Sequence, residues 1–355
     1  MKRTDFLKFI ASFDLSVKKL HKLFDFYSQE NIEFDIVKQE KFIEIVGKEN
    51  ISKIQINANT LYLDRFLDKL YENQIQILSF EDKNYPEKLK RIDDPPYFLF
   101  YKGDVSLLNK KSLAIIGSRT PSNYGRVVTE RFSKEVAESG LVVVSGLAYG
   151  VDSIAHRKAL ELNQKTIAVL GGGFDKIYPS QHTDLASEIA RKGLIISEYS
   201  PSVLPTKYTF PQRNRIVAGI SDGILITEAG AKSGTIITKD LALDYGIPIF
   251  AVPGNITSEK SEGTNNIIAH GQGQCVLSAS DILEELGINQ ISNKKVYQLT
   301  FEEQMIYDLL CQGENNPDVI CEKTGLNVNK LNSLLVSLEI RDIVKKMPGG
   351  FYSLS

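Results

Sequence analysis

Between residues 110 and 286, short apolar runs alternate with amphipathic stretches. The runs are Leu113-Ala114-Ile115-Ile116, Leu141-Val142-Val143-Val144, Thr166-Ile167-Ala168-Val169-Leu170, Leu194-Ile195-Ile196, Gly223-Ile224-Leu225-Ile226, Ile247-Pro248-Ile249-Phe250-Ala251-Val252 and Cys275-Val276-Leu277. Several are apolar at consecutive positions, which predicts strands covered on both faces. Helical spacing fills the gaps, for example over 127–138 and 153–162. Strands alternating with helices predict an α/β fold with a doubly wound, mostly parallel sheet.

The flanks differ. Residues 1–75 predict a small helical domain, with Leu15, Leu20, Leu23, Phe24 and Phe26 at helical spacing around Lys18, Lys19 and Lys22. A second amphipathic stretch sets Leu61, Tyr62, Leu63, Leu67, Leu70 and Tyr71 against Asp64, Arg65, Asp68 and Lys69, and the lysines read as solvated surface. Over 75–105, Ile75-Gln76-Ile77-Leu78 predicts a strand. Tyr85-Pro86 and Asp94-Pro95-Pro96 then punctuate the way to Phe98-Leu99-Phe100-Tyr101, a docking segment with turns. Residues 76–287 are thus taken as the central domain and the polar stretch 288–297 as a linker. Residues 298–355 resemble a winged helix-turn-helix, with helices over 301–310, 317–323 and 328–340, and a hairpin turning at Pro348-Gly349-Gly350.

Composition narrows the function classes. The chain has 355 residues, 42 basic against 44 acidic. That balance excludes a general polycation but not a local basic groove. No apolar run approaches the roughly 18 residues a membrane span needs, and no signal-peptide core follows the first residues. Three cysteines without a CxxC pair point away from disulfides and zinc and toward a reducing cytoplasm. Cys275 reads as a buried strand residue, and Cys311 and Cys321 as small-domain core.

Ligands of open α/β sheets bind outside the carboxyl ends of the strands. Four strand ends here run into glycine- and hydroxyl-rich turns: Gly117-Ser118-Arg119, Ser145-Gly146 through Gly150, Gly171-Gly172-Gly173, and Ser233-Gly234-Thr235. Glycine lets a backbone approach an anion, so four such turns on one edge predict a phosphate-binding surface. Neither GxGxxG nor GxxxxGK[ST] occurs at a strand end, which removes the usual support for a dinucleotide enzyme or a P-loop ATPase. The loops carry cations instead. Arg119 is placed to fork onto a phosphate, and Lys176 sits between Phe174 and Tyr178, rings that unstacked bases could use. Packing beneath the loop is the competing role for both rings. For Arg213-Asn214-Arg215, at the start of a further helix, a phosphate contact and a salt bridge stand side by side.

Gly117-Ser118-Arg119, Val144-Ser145-Gly146-Leu147-Ala148-Tyr149-Gly150-Val151-Asp152, Tyr178-Pro179, Phe210-Pro211-Gln212-Arg213-Asn214-Arg215, Ser233-Gly234-Thr235 and Val252-Pro253-Gly254 follow in order. Together they closely resemble the bacterial DNA-processing protein A (DprA, or Smf) family over about residues 75–286. The helical start, of the SAM or helix-hairpin-helix kind, and the winged-helix end agree by architecture. The resemblance implies an extended Rossmann-like domain that binds single-stranded DNA, forms a homodimer and needs no cofactor. It also implies a cytoplasmic role in natural transformation and recombination: protecting incoming strands and loading the RecA recombinase. Arg119 and Lys176 fall where the family places its groove cations. Candidate dimer residues are Ile236, Ile237, Leu241, Leu243, Ile267 and Ile268.

The competing class is an enzyme. Cytokinin-activating phosphoribohydrolases share this fold type and carry PGGxGTxxE, whose glutamate acts in hydrolysis. Here Thr238 stands at the glutamate position, so that motif lacks its acid/base. Glu228 and Glu198 read as a loop cap or a partner for arginine. Asp152 and His156 lie one helical turn apart with no third ligand, so a hydrogen-bond network is expected rather than a metal. The third winged-helix helix is near neutral, with Lys330 and Arg341 against Glu339 and Asp342, and Lys345-Lys346 stands in the wing. A protein-interaction or regulatory role is expected there over groove reading.

Overall fold

The computed structural model describes residues 1–288 and 299–354, except 312, 314, 342 and 348. The predicted linker past Ile288, Asp342 and the hairpin residue Pro348 lie outside the described residues. Two compact units result, Met1–Gln290 and Ile291–Ser355.

The first unit opens with five helices, α1 (Arg3–Ala11), α2 (Val17–Phe26), α3 (Glu40–Val46), α4 (Lys48–Ile56) and α5 (Thr60–Glu72). Strands β1 (Gln76–Ser79) and β2 (Phe98–Gly103) follow, with a single turn, α6 (Glu87–Lys90), between them. The central alternation then runs β3 (Ser112–Ile116), α7 (Asn123–Glu138), β4 (Val142–Ser145), α8 (Val151–Glu161), β5 (Thr166–Val169), α9 (Thr183–Lys192) and β6 (Leu194–Ser197). It continues through α10 (Thr209–Gly219), β7 (Gly223–Ile226), α11 (Thr235–Asp244), β8 (Ile249–Ala251), α12 (Glu262–Ala269), β9 (Gln274–Cys275) and α13 (Ala279–Glu285).

These strands form one sheet in the order β1-β2-β6-β5-β4-β3-β7-β8-β9. From β6 to β9 every pairing is parallel. The chain winds outward from β3 through β6, then crosses back to β7, so the switch point lies between β3 and β7. Their fully buried residues account for the consecutive apolar runs, because helices cover both faces.

The 75–105 segment does more than dock. β2 joins the sheet antiparallel to β6, with Phe100 opposite Ser197, and β1 pairs antiparallel with β2. Side chains of a strand alternate between faces. Leu99 and Tyr101 therefore enter the central core, while Phe98 and Phe100 enter the core of the five helices. At the other edge the predicted strands shorten. Pro248 has no N–H and precedes β8, and β9 keeps two residues, which leaves Cys275 exposed rather than buried.

The second unit holds α14 (Phe301–Leu310), α15 (Pro317–Thr324), α16 (Val328–Ile340) and the hairpin β10 (Val344–Lys346) with β11 (Tyr352–Leu354). Thr300 and Glu303 form a capping box at α14, and Asn316 and Asn327 cap the next two helices. Ile306, Ile320, Leu331, Leu335, Leu338, Ile343 and Tyr352 close its core. Cys321 packs against that core, but Cys311 is exposed. The cations of α16 and its C-cap are engaged inside the unit, Lys330 with Glu302 at 3.0 Å and Arg341 with Glu303 at 2.9 Å.

Candidate nucleic-acid interface

A cleft of about 880 Å³ opens at the carboxyl ends of β3 and β7, on the switch point. One wall is the turn after β3. Ser118 N–H donates to Glu228 O at 2.8 Å, and Ser118 O accepts from Val151 N–H at 3.1 Å, which pins this turn between the β7 loop and α8. Arg119 is left exposed at the lip, its guanidinium carbon 5.9 Å from the Phe210 ring centroid. Phe210, in the first turn of α10, lies 5.4 Å from the Tyr178 ring, and Tyr178 is 50% exposed. Lys176 and Tyr178 line a small recess that shares Tyr178, Pro205 and Phe210 with the cleft. Arg119 and Lys176 thus flank an aromatic pair.

The opposite wall is the turn before α11. Ser233, Gly234 and Thr235 line it, with Lys232 beside them and Asn214 and Lys207 on the α10 side. A side-chain carbon added at Gly234 would find nothing within 4 Å, and the backbone there is ordinary right-handed. The fold itself has no use for a glycine at 234, which suits close approach of a ligand. Lys207, Lys232 and Phe210 were not picked out from sequence as site residues. The signal for Lys207 and Phe210 is Lys207-Tyr208-Thr209-Phe210, a basic and aromatic run across a helix start, and that for Lys232 is its place beside Ser233-Gly234-Thr235.

The remaining expected residues serve the floor. Ser145 Oγ donates to Ile115 O at 2.7 Å. Gly146 N–H and Ala148 N–H donate to Asp152 at 3.1 and 3.3 Å. Gly150 takes φ +75° against the Ser118 carbonyl. Gly172 packs on Pro205, and Gly173 sits against the carbonyls of Ser200 and Pro201 with its N–H on Val203 O at 2.7 Å. Their glycines answer to close packing between loops, so the first and fourth turns face the open cleft and the second reaches it only through Ala148.

Arg213 is 4% exposed and donates to Gly146 O and Val169 O. It is a strut beneath the cleft, neither a surface salt bridge nor a lip cation. Burial lowers its pKa to about 10, which Asp152 opposes, while burial raises Asp152 against the pull of Arg213. Arg215 pairs with Glu198 and donates to Asp94 O. Phe174 packs between the helical core and the cluster around Leu170 and Leu185, with Lys102 Nζ 5.6 Å from its ring centroid. That commits Phe174 to packing and leaves Tyr178 as the exposed ring.

The carboxylates near the cleft also have structural partners. Asp152 holds two amides, Glu198 holds Arg215, and Glu228 accepts from Ser122 N–H at 2.8 Å and from its hydroxyl. Thr238 lines the cleft wall nearly buried. Asp152 and His156 turn to separate partners, Asp152 to the amides of Gly146 and Ala148 and His156 to Thr166. Thr166 Oγ1 donates to Val143 O, so it accepts from His156 Nδ1–H at 2.7 Å. Among the described residues no cluster of three or more His, Cys, Asp or Glu could hold a metal, and no helix is long and apolar enough to cross a membrane.

Residues 76–287 match the family model of DNA recombination-mediator protein A, and residues 295–350 match the DprA winged helix domain. The chain belongs to the DNA recombination-mediator protein A family. Among DprA and Smf relatives, DNA processing protein DprA of Bacillus subtilis is 40% identical over 225 residues, covering 63% of this chain and 75% of that one. Protein Smf of Synechocystis is 37% identical over 350 residues, covering 87% and 88%. The X-ray structure of DprA from Streptococcus pneumoniae superposes with a TM-score of 0.69 at 34% identity, over 80% of this chain and 99% of that one. A structure of DNA processing protein A from Helicobacter pylori, described for its unique single-stranded DNA binding mode, gives 0.55 at 36% identity, over 60% and 95%.

Proposed function

We propose that this chain binds single-stranded DNA across the carboxyl edge of its sheet and acts as a recombination mediator. In that role it protects incoming strands and loads the RecA recombinase on them during natural transformation, as a cytoplasmic homodimer. One observation carries the DNA reading. Arg119 and Lys176 are exposed on either side of the Phe210–Tyr178 pair, and no salt bridge with a described residue engages either. Cations spaced by aromatic faces suit a chain of phosphates with unstacked bases, read without sequence preference. Lys207 and Lys232 extend the same cationic lip. The Helicobacter pylori relative, described for single-stranded DNA binding, supports the ligand class. Protection and recombinase loading rest on family membership alone. For the dimer, α11 offers exposed Ile237 and Leu243.

The test is fluorescence anisotropy with matched single- and double-stranded oligonucleotides over a salt series. Wild type should prefer the single strand, and affinity should fall steeply with salt. R119E/K176E should weaken binding by at least about tenfold, since each reversal removes one phosphate contact and adds a repulsion. Undiminished binding by that variant would refute the groove.

A further inference from the structure

The loop that carries Lys176 is held by an element outside the central alternation. Its backbone is fixed on one side, with Gly173 N–H on Val203 O at 2.7 Å and Asp175 N–H on Pro201 O at 2.9 Å. Phe174 anchors it on the other side by packing against the core of the N-terminal helices. Between these anchors stands Asp175, a carboxylate one residue from the groove lysine. An unbalanced negative charge there would repel the phosphates that Lys176 attracts, because both lie within one screening length of any bound strand. Lys69, in the last turn of α5, answers it: its Nζ lies 2.6 Å from Asp175 Oδ2. Lys102, over the Phe174 ring, feels the same carboxylate, which opposes the lowering of its pKa by burial.

We infer that Lys69 is a positioning residue for the nucleic-acid groove: by pairing with Asp175 it cancels the one acidic charge on the lysine loop and fixes that loop to the helical unit. This gives the N-terminal helices a part in DNA binding without contact to DNA, and it rests on the strand-end groove being the DNA site. The pair is half exposed, so it contributes little to folding, and its effect is read in affinity.

The experiment uses the full chain and a fluorescein-labelled oligothymidylate in anisotropy titrations. The variants are K69E, K69R, D175N, D175S and K69E combined with each Asp175 change, with R119E/K176E alongside. K69E should weaken binding about threefold to tenfold at low salt, less at high salt, with a thermal midpoint like wild type. K69R should bind like wild type, and D175N and D175S at least as tightly. On either Asp175 background the cost of K69E should shrink, because no freed carboxylate is left to act on Lys176 and only the repulsion of the introduced glutamate remains. An equal loss on those backgrounds would show that the charge at position 69 acts on DNA without Asp175 and would overturn the inference. Wild-type binding by K69E, with loss in R119E/K176E, would remove Lys69 and leave the groove. Undiminished binding by R119E/K176E would remove the groove, and this inference with it.

Discussion

A methyl group on Gly146 would stand 2.6 Å from the Arg213 guanidinium. The size of one residue therefore decides where the next one's charge can lie. With Gly146 in place Arg213 drops to the floor of the cleft, and Arg119 remains at the lip with Lys207 and Lys232. Arg119 and Lys176 stood out in the sequence, because each lies in the glycine-rich turn after a strand, Arg119 past β3 and Lys176 past β5. Arg213 was not: Arg213-Asn214-Arg215 announces a cationic helix start but not which side of the helix meets the sheet. Nearby, His156 is buried with Nε2 unpartnered, and burial lowers its pKa from the ordinary 6.5 to about 3. The unfolded chain takes up a proton below about 6.5, whereas the folded one resists until about 3. Its contribution to stability is thus full above the unfolded pKa and drains as pH falls through that window. Relative to H156N, wild type should lose on the order of 2 kcal/mol between about pH 7 and about pH 5. Urea midpoints of both proteins at each pH measure this. Asp152 and Glu198, raised by burial, tilt the opposite way, and the comparison between variants subtracts them.

Among the elements, β2 serves two cores. Its period of two sends Leu99 and Tyr101 one way and Phe98 and Phe100 the other. The sequence showed the aromatic run but not its division, since a strand buried on both faces has no polar side to betray its orientation. The prolines around it read as turns, while the antiparallel pairing to β6, a partner about ninety-five residues away in sequence, left no local mark. Removing residues 1–75 should uncover Tyr97, Phe98 and Phe100 together, a contiguous apolar face. The truncated chain is expected to self-associate and to melt at a lower temperature, as size-exclusion chromatography and a thermal scan would show. A monodisperse product with the wild-type midpoint would mean that the sheet does not need the helices.

For the whole molecule, the alternation of strands and helices was plain from the apolar runs, and with it the edge where ligands collect. The winged helix was legible too, from three helical stretches and a glycine-rich hairpin turn, and the structure adds Thr300, Asn316 and Asn327 as caps at the helix starts. What four glycine-rich turns could not tell was which of them the fold had already filled. In the second unit, Lys330 and Arg341 are spent on Glu302 and Glu303, leaving α16 with exposed Val328, Val336 and Ile340. Deleting residues 291–355 should leave single-strand affinity within about twofold of the full chain in anisotropy titrations, since that helix has few cations to give up. A large loss would place part of the DNA site in the winged helix.

The unclaimed space above Gly234 has an evolutionary reading. Most side chains could occupy that position at little cost to folding, so stability exerts little purifying pressure there. With the cleft as the DNA site proposed above, a lineage that keeps glycine would keep it for the ligand. One that drifts to a bulky residue has given up the binding while keeping the fold.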